Sequence, residues 1–300
     1  MPQTNQGPSF GLSMGPSERL LGDGPNRSYA AKLERFEAFA APDLRRIFAD
    51  LELPSRGTIL DLGCGTGLAT ALLAEQVGSN VTVVGLDLSL PHLRAAQRQH
   101  TLPLVQGDAA RLAFRDGVFD FIWTCNTINH VADRVTTLRC LRRVLRAGGR
   151  FAIAQSGLLP EMFFAWDAPL DDAIRTACHR YYRERYGLTV ADLADVRALV
   201  GPLRAANFVD VTVHTYVIER AQPLSQADRD YFQEAVFDGV WGERVARYVD
   251  AKSWEKLRRN CDPASRDYCL DRNDFHHVQT LTVCSGRRQQ VHSDRAERTT

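Results

Sequence analysis

Lysine is nearly missing from this chain: Lys32, Lys252 and Lys256 are its three, and arginine carries the rest of the positive charge. A surplus of either sign is missing too. Thirty-seven basic residues stand against 36 acidic ones, a net charge of +1, so no long-range field draws a nucleic acid or an anionic membrane, and neither is expected as a partner. No window approaches the roughly 20 consecutive apolar residues of a membrane-spanning helix, and no basic stretch followed by an apolar core opens the chain. Membrane insertion and export are therefore not expected. The seven cysteines are odd in number and scattered, with no C-x-x-C pair, which argues against zinc or dithiol redox chemistry and for reduced thiols in the cytoplasm. No metal site is expected. Internal repeats are absent as well. What is present, 300 residues at 44% hydrophobic and 24% charged, is enough to bury a large core in one elaborated domain.

Residues 1–28 are rich in Gly, Pro, Ser and Asn without apolar period and read as a flexible N-terminal arm. From Tyr29 to Leu53 the pattern is helical, with Leu33, Phe36, Phe39, Leu44, Ile47 and Phe48 at three- and four-residue steps, until Pro54 and Gly57 end it. Short apolar runs then alternate with helical patterns. Strand Thr58–Leu62, helix Leu68–Val77 and strand Val81–Leu86 come first; a helix opened by Ser89 and Pro91 runs to about His100 before strands Leu102–Gln106 and Phe119–Cys125. Asp133 caps a helix that Gly148 and Gly149 stop before strand Arg150–Gln155. Continuous apolar strands alternating with helices predict a parallel sheet covered on both faces, an α/β fold.

The second half is less regular. A helix is expected over Val196–Asn207, a strand over Val209–Ile218 and a last strand over His277–Cys284, with a polar tail over 287–300. Two aromatic-rich, mostly helical insertions interrupt the series at 157–195 and 222–265, so that the domain spans 29–286.

The segment Ile59-Leu60-Asp61-Leu62-Gly63-Cys64-Gly65-Thr66-Gly67 joins the first strand to the next helix. Glycines there permit positive φ and let a ligand lie against the backbone, at the carboxyl edge where open α/β sheets bind nucleotides. Asp61-x-Gly63-x-Gly65-x-Gly67 resembles the first motif of class I S-adenosylmethionine-dependent methyltransferases. Three further segments match in order: Val83-Val84-Gly85-Leu86-Asp87-Leu88-Ser89, Gln106-Gly107-Asp108-Ala109, and Phe119-Asp120-Phe121-Ile122-Trp123 followed by Asn129-His130-Val131 and Leu141-Arg142-Arg143-Val144-Leu145-Arg146-Ala147-Gly148-Gly149. The likeness covers about residues 55–155, and the branch it points to is the one with quinone-biosynthesis and small-metabolite enzymes, the type 11 group.

The resemblance implies a Rossmann-like, seven-stranded, mostly parallel sheet with helices on both faces and the last strand antiparallel, the insertions forming a helical lid. It implies S-adenosylmethionine as cofactor and S-adenosylhomocysteine as product. Asp61, Gly63, Cys64, Gly65 and Gly67 would line the cofactor, Asp87 would accept from both ribose hydroxyls, and Asp108 and Ala109 would meet the adenine. Leu88, Cys125 and Asn126 complete the expected contacts. On the acceptor side, Asn129, His130, Phe163, Trp166 and Tyr182 are the candidates, with His130 as catalytic base or as a structural histidine. The expected activity is methyl transfer to an O, N or C atom of a small, apolar or aromatic metabolite.

A nicotinamide dinucleotide fold also has a glycine turn and an acidic residue about 20 residues on. Here the third glycine comes one residue early, Leu68 stands where that pattern wants glycine, and the Asp61 carboxylate would repel a pyrophosphate. A protein or RNA methyltransferase on the same fold would be favoured if Arg139, Arg142, Arg143 and Arg146 formed an exposed stripe, and a non-catalytic cofactor-binding protein is a further alternative. The aromatics of the second insertion are candidates for a homodimer face.

Overall fold

The computed structural model describes residues 27–156, 166–195, 198–242 and 245–290. The N-terminal arm up to residue 26, Phe163 and Phe164 of the first insertion, and the tail from 291 lie outside the described residues.

Seven strands form one sheet in the order β3-β2-β1-β4-β5-β7-β6. They are β1 (Gly57–Leu62), β2 (Val81–Asp87), β3 (Leu104–Gln106), β4 (Phe119–Cys125), β5 (Leu145–Ser156), β6 (Phe208–Ala221) and β7 (His276–Arg288). The first five are mutually parallel, and β7 runs antiparallel to both β5 and β6. Strand order reverses direction between β1 and β4, so the loops leaving these two carboxyl ends diverge and open a crevice between them.

The helices are α1 (Arg27–Asp50), α2 (Leu68–Val77), α3 (Leu90–Gln99), α4 (Arg134–Val144), α5 (Ala168–Tyr186), α6 (Val190–Asp195), α7 (Val200–Ala205), α8 (Gln226–Asp230) and α9 (Ala251–Cys261). As expected from their side chains, Ser89 caps α3 by accepting from the His92 N–H and Asp133 caps α4 through the Thr136 N–H. The helix expected over 196–207 is shorter, Val200–Ala205, and the last strand is longer, taking Arg287 and Arg288 from the expected tail.

Apolar side chains divide between the two faces. One cluster joins Phe39, Leu44, Ile47 and Phe48 of α1 to Leu72 and Leu73 of α2 and to Ile59, Val83, Phe121 and Trp123 of the sheet. The other packs Leu138, Leu141 and Val144 of α4 and Leu203 of α7 against Leu60, Leu62, Ile122, Phe151 and Ile153. Adjacent strand residues thus feed opposite clusters, as the pleat requires.

The second insertion departs from its expected surface role. Helix α8 continues as a π-helical stretch, Tyr231–Trp241. Its Tyr231, Phe232, Phe237 and Trp241 are buried in the first cluster, Tyr231 stacking on Phe39 at 4.1 Å. These four rings complete the chain's own core.

Candidate active site

The cradle starts at the end of β1. Gly63, Gly65 and Gly67 all have positive φ, +72°, +54° and +94°, in the left-handed region that side-chain-bearing residues rarely adopt. Space imposes the same choice: a Cβ on Gly63 would stand 2.1 Å from Thr127 Oγ1, and one on Gly65 would stand 3.2 Å from Glu37 Oε1. The loop is hung on β2 by the Gly63 and Cys64 N–H groups, which donate to the Leu86 carbonyl at 2.6 and 3.0 Å. Gly67 then opens α2 with no side-chain cap of its own.

Asp87 ends β2 facing this loop. Its Oδ2 accepts from the Gly65 N–H at 2.9 Å and its Oδ1 from the Ser89 N–H at 2.8 Å. Next to it, Leu88 is 55% exposed and offers apolar surface at the mouth of the crevice. One strand further, the Gly107 N–H donates to the Asp87 carbonyl at 3.0 Å, which sets Asp108 beside this end of the crevice. Asp108 turns its own loop by accepting from the Ala110 N–H at 2.8 Å, while Ala109 packs against the second apolar cluster.

Asp61 is 1% exposed. Thr70 donates its hydroxyl to the carboxylate at 2.6 Å, and burial still pushes the group up to about 7. Cys64 is buried and its thiol is held in the neutral form by burial and by the carboxylates Asp61, Asp87 and Glu37, which suits packing and not nucleophilic attack. Burial likewise pushes Cys125 up to about 12.

Across the crevice, β4 leads into Asn126, whose φ of +50° is left-handed. Its Oδ1 accepts from Gln155 Nε2, the Ser156 N–H and the Ser156 hydroxyl at 2.9, 2.9 and 3.0 Å, clamping the carboxyl ends of β4 and β5 together. Residues Ile128–His130 form a short 3-10 turn. Within it the Asn129 Oδ1 is buried without a hydrogen-bond partner among the described residues, an acceptor open to a donor. Burial lowers the His130 imidazole below its usual range, against the opposing pull of Asp87 and a hydrogen bond to the Asn126 backbone. At neutral pH the ring is therefore uncharged.

The two insertions meet at Trp166 and Trp241, whose rings lie 5.2 Å apart. Trp166 and Cys125 border the same apolar cluster, whereas Tyr182 is buried on α5 against Tyr181 and Tyr186. The described part of the expected lid is thus one tryptophan at the cluster's margin and one buried tyrosine on α5.

Glu37 was not among the residues expected here. Helix α1 carries it over the glycine loop, where Thr66 donates its hydroxyl to Oε2 at 2.6 Å. The signal lay in the helical period: Glu37 falls four residues after Leu33 and three before Ala40, a carboxylate on the apolar face of α1.

Three of the four arginines Arg139, Arg142, Arg143 and Arg146, in α4 and at the start of β5, are engaged and do not form a free stripe. Arg143 donates to the Leu112 and Phe114 carbonyls and to Asp116, Arg146 pairs with Asp120, and Arg139 donates to the Ala205 carbonyl. Among the described residues no group of three or more potential metal ligands converges, and no helix is long and apolar enough to cross a membrane.

Comparison with known proteins agrees with this geometry. Residues 60–153, from within β1 to within β5, match a family model described as a methyltransferase domain. A demethylmenaquinone methyltransferase of Staphylococcus saprophyticus is 35% identical over 109 residues, which is 35% of this chain and 47% of that protein. A malonyl-[acyl-carrier protein] O-methyltransferase of Pseudescherichia vulneris is 38% identical over 133 residues, 42% of this chain and 52% of that one. The chain thus spans about half the length of the curated relatives it matches. A solved structure of a Bacillus halodurans protein assigned as a methyltransferase superposes with a TM-score of 0.50 at 18% identity, covering 83% of this chain and all of that one, a likeness of fold. The matched segment contains the glycine cradle, Asp87, Asp108 and the His130 turn, and it is over residues 60–153 that the chain matches a methyltransferase domain.

Proposed function

We propose that the whole chain is a cytoplasmic methyltransferase that moves a methyl group from S-adenosylmethionine to an O, N or C atom of a small, apolar or aromatic metabolite. The observation that carries this reading is the cradle itself: three left-handed glycines at the β1/β4 switch point, with a carboxylate at the end of β2 and exposed Leu88 beside it. These residues fit the group. Asp87 has the acceptor oxygens a ribose diol needs, Leu88 and Ala109 offer apolar surface to an adenine, and the buried Asp61 suits an ammonium and would oppose a pyrophosphate. When bound, the cofactor supplies an electrophilic methyl on a sulfonium.

The chain's own residues then have three tasks. Asp87 and the glycine loop fix the donor, and orientation alone is worth roughly 7 to 11 kcal/mol in such displacements. The lid side chains, Trp166 foremost, exclude water and hold the acceptor. His130, uncharged and with its ring bonded to the Asn126 backbone, takes the proton that a hydroxyl, amine or activated carbon sheds as the new bond forms. Asn129 is placed to receive a hydrogen bond from the acceptor.

The engaged arginines of α4 support a small acceptor over a nucleic acid or protein one. A thermal shift with S-adenosylmethionine, S-adenosylhomocysteine and NAD tests the donor reading: the first two should raise the melting temperature and NAD should not. Stabilisation by NAD alone would overturn it.

A further inference from the structure

We propose that Glu37 is a cofactor-binding residue: α1 lays its carboxylate across the glycine loop, where together with Asp61 it holds the α-ammonium of the cofactor's methionine end. The proposal rests on the S-adenosylmethionine reading of the cradle and adds a residue from outside residues 60–153. Its basis is position. Glu37 Oε1 lies 3.2 Å from where a Gly65 Cβ would stand, on the side of the loop that glycine leaves open for a ligand. Its Oε2 takes the Thr66 hydroxyl at 2.6 Å, and Thr66 is itself fully buried. Taken as a whole, the Glu37 residue is half-buried.

A second carboxylate this close to Asp61 is expensive to keep charged without a cation. Burial and the neighbouring Asp61 push Glu37 up to about 7, although the Thr66 hydroxyl and the Thr66 and Leu68 N–H groups favour its ionised form. The groups that act on this carboxylate are Asp61 from β1, the Thr66 hydroxyl and the Thr66 and Leu68 amides, with the Cys64 thiol near it; His100, just after α3, lies against Gly67. Among the described residues the causes of the Glu37 shift include no cation. An ammonium seated between Glu37 and Asp61 supplies one, and both groups then ionise. A proton leaves to solvent on binding, so affinity falls as pH drops below about 7, by up to about tenfold per pH unit for each proton expelled.

The test uses the full chain and two ligands, S-adenosylhomocysteine, which has the ammonium, and 5′-methylthioadenosine, which lacks the whole amino-acid end. Calorimetry near pH 7 in buffers of different ionisation enthalpy counts the protons. The wild-type protein should release a proton with S-adenosylhomocysteine and release less with 5′-methylthioadenosine. Glu37→Gln should weaken S-adenosylhomocysteine about tenfold to a hundredfold, abolish part of that release, and leave 5′-methylthioadenosine affinity nearly unchanged. Equal affinity of wild type and variant for S-adenosylhomocysteine overturns the proposal, and so does an equal loss for both ligands, which would make Glu37 a support of the loop alone. Should Glu37→Gln not fold, the wild-type measurement decides: no proton release, or the same release with both ligands, overturns it. If neither ligand binds the wild-type protein, the cofactor reading itself has failed.

Discussion

A methyl group on Gly63 would collide with Thr127, and the carboxylates Asp87 and Asp108 differ in what they already do. Asp87 spends both oxygens on the Gly65 and Ser89 amides, whereas Asp108 shapes only its own turn. Each hydrogen bond to a charged group is worth roughly 1.5 to 3 kcal/mol. With two ribose bonds and the loop contact at stake, Asp87→Ala should weaken S-adenosylhomocysteine by about a hundredfold or more, and Asp108→Ala, losing one adenine bond, by about tenfold. Titration calorimetry on the two variants checks this, and the reverse order would mean the carboxylates have been given each other's roles. Asp87 and Asp108 are legible in the sequence because each ends a strand in a recognisable pattern. Glu37 is not, because a lone glutamate on an amphipathic helix carries no sign of which loop the helix will cover.

At the scale of elements, the turn after β4 and the two helical insertions divide the acceptor side between chemistry and enclosure. Once an acceptor is identified by the mass of one added methylene, His130→Ala should lower turnover with little change in cofactor affinity, and the acid limb of the wild-type rate should lie below the usual histidine range, since burial lowers that imidazole. Trp166→Ala should chiefly raise the Michaelis constant. Tyr182→Ala is expected to do so less cleanly, because Tyr182 is buried on α5, and removing it should also cost stability, about 3 to 5 kcal/mol for a buried aromatic ring. A lowered melting temperature with unaltered kinetics in both variants would show that these rings only pack. Helical character of the insertions was readable from their period; that Trp166 would meet Trp241 across about 75 residues was not, since the contact depends on how two separate insertions fold back.

Across the whole molecule, Arg220 joins three elements. From β6 it pairs with Asp43 of α1 and Asp228 of α8, each at 2.7 Å, and donates to the Phe39 carbonyl. Beside it His277 is buried against Phe39 and Phe232 and is driven down to about 3 by burial and by the Arg220 charge. The unfolded chain takes up this proton near 6.5 and the folded one near 3. His277 therefore costs the folded state stability progressively as pH falls from about 6.5 to about 3. Glu37 and Asp61 act in the opposite sense: raised to about 7, they oppose folding increasingly as pH climbs from about 4 to about 7. Melting temperatures of wild type and His277→Gln across pH 4 to 7 should diverge in slope, the variant losing less on the acid side. Parallel curves would mean that His277 charges freely in the folded protein.

The sequence by itself determined the alternation of strands and helices, the caps at Ser89 and Asp133, the glycine cradle and the carboxylates that end β2 and follow β3, because each of these depends on residues close together in the chain. Period, capping and left-handed turns are local physics. Tertiary structure alone decided that the aromatics of the π-helical stretch belong to the core, that Arg139 and Arg143 of α4 and Arg146 of β5 are taken up by carbonyls and carboxylates, and that α1 brings Glu37 over the loop. Those outcomes turn on which surfaces are buried against which, a choice made between segments up to about 200 residues apart, as Arg35 and Glu234 are in joining α1 to that stretch.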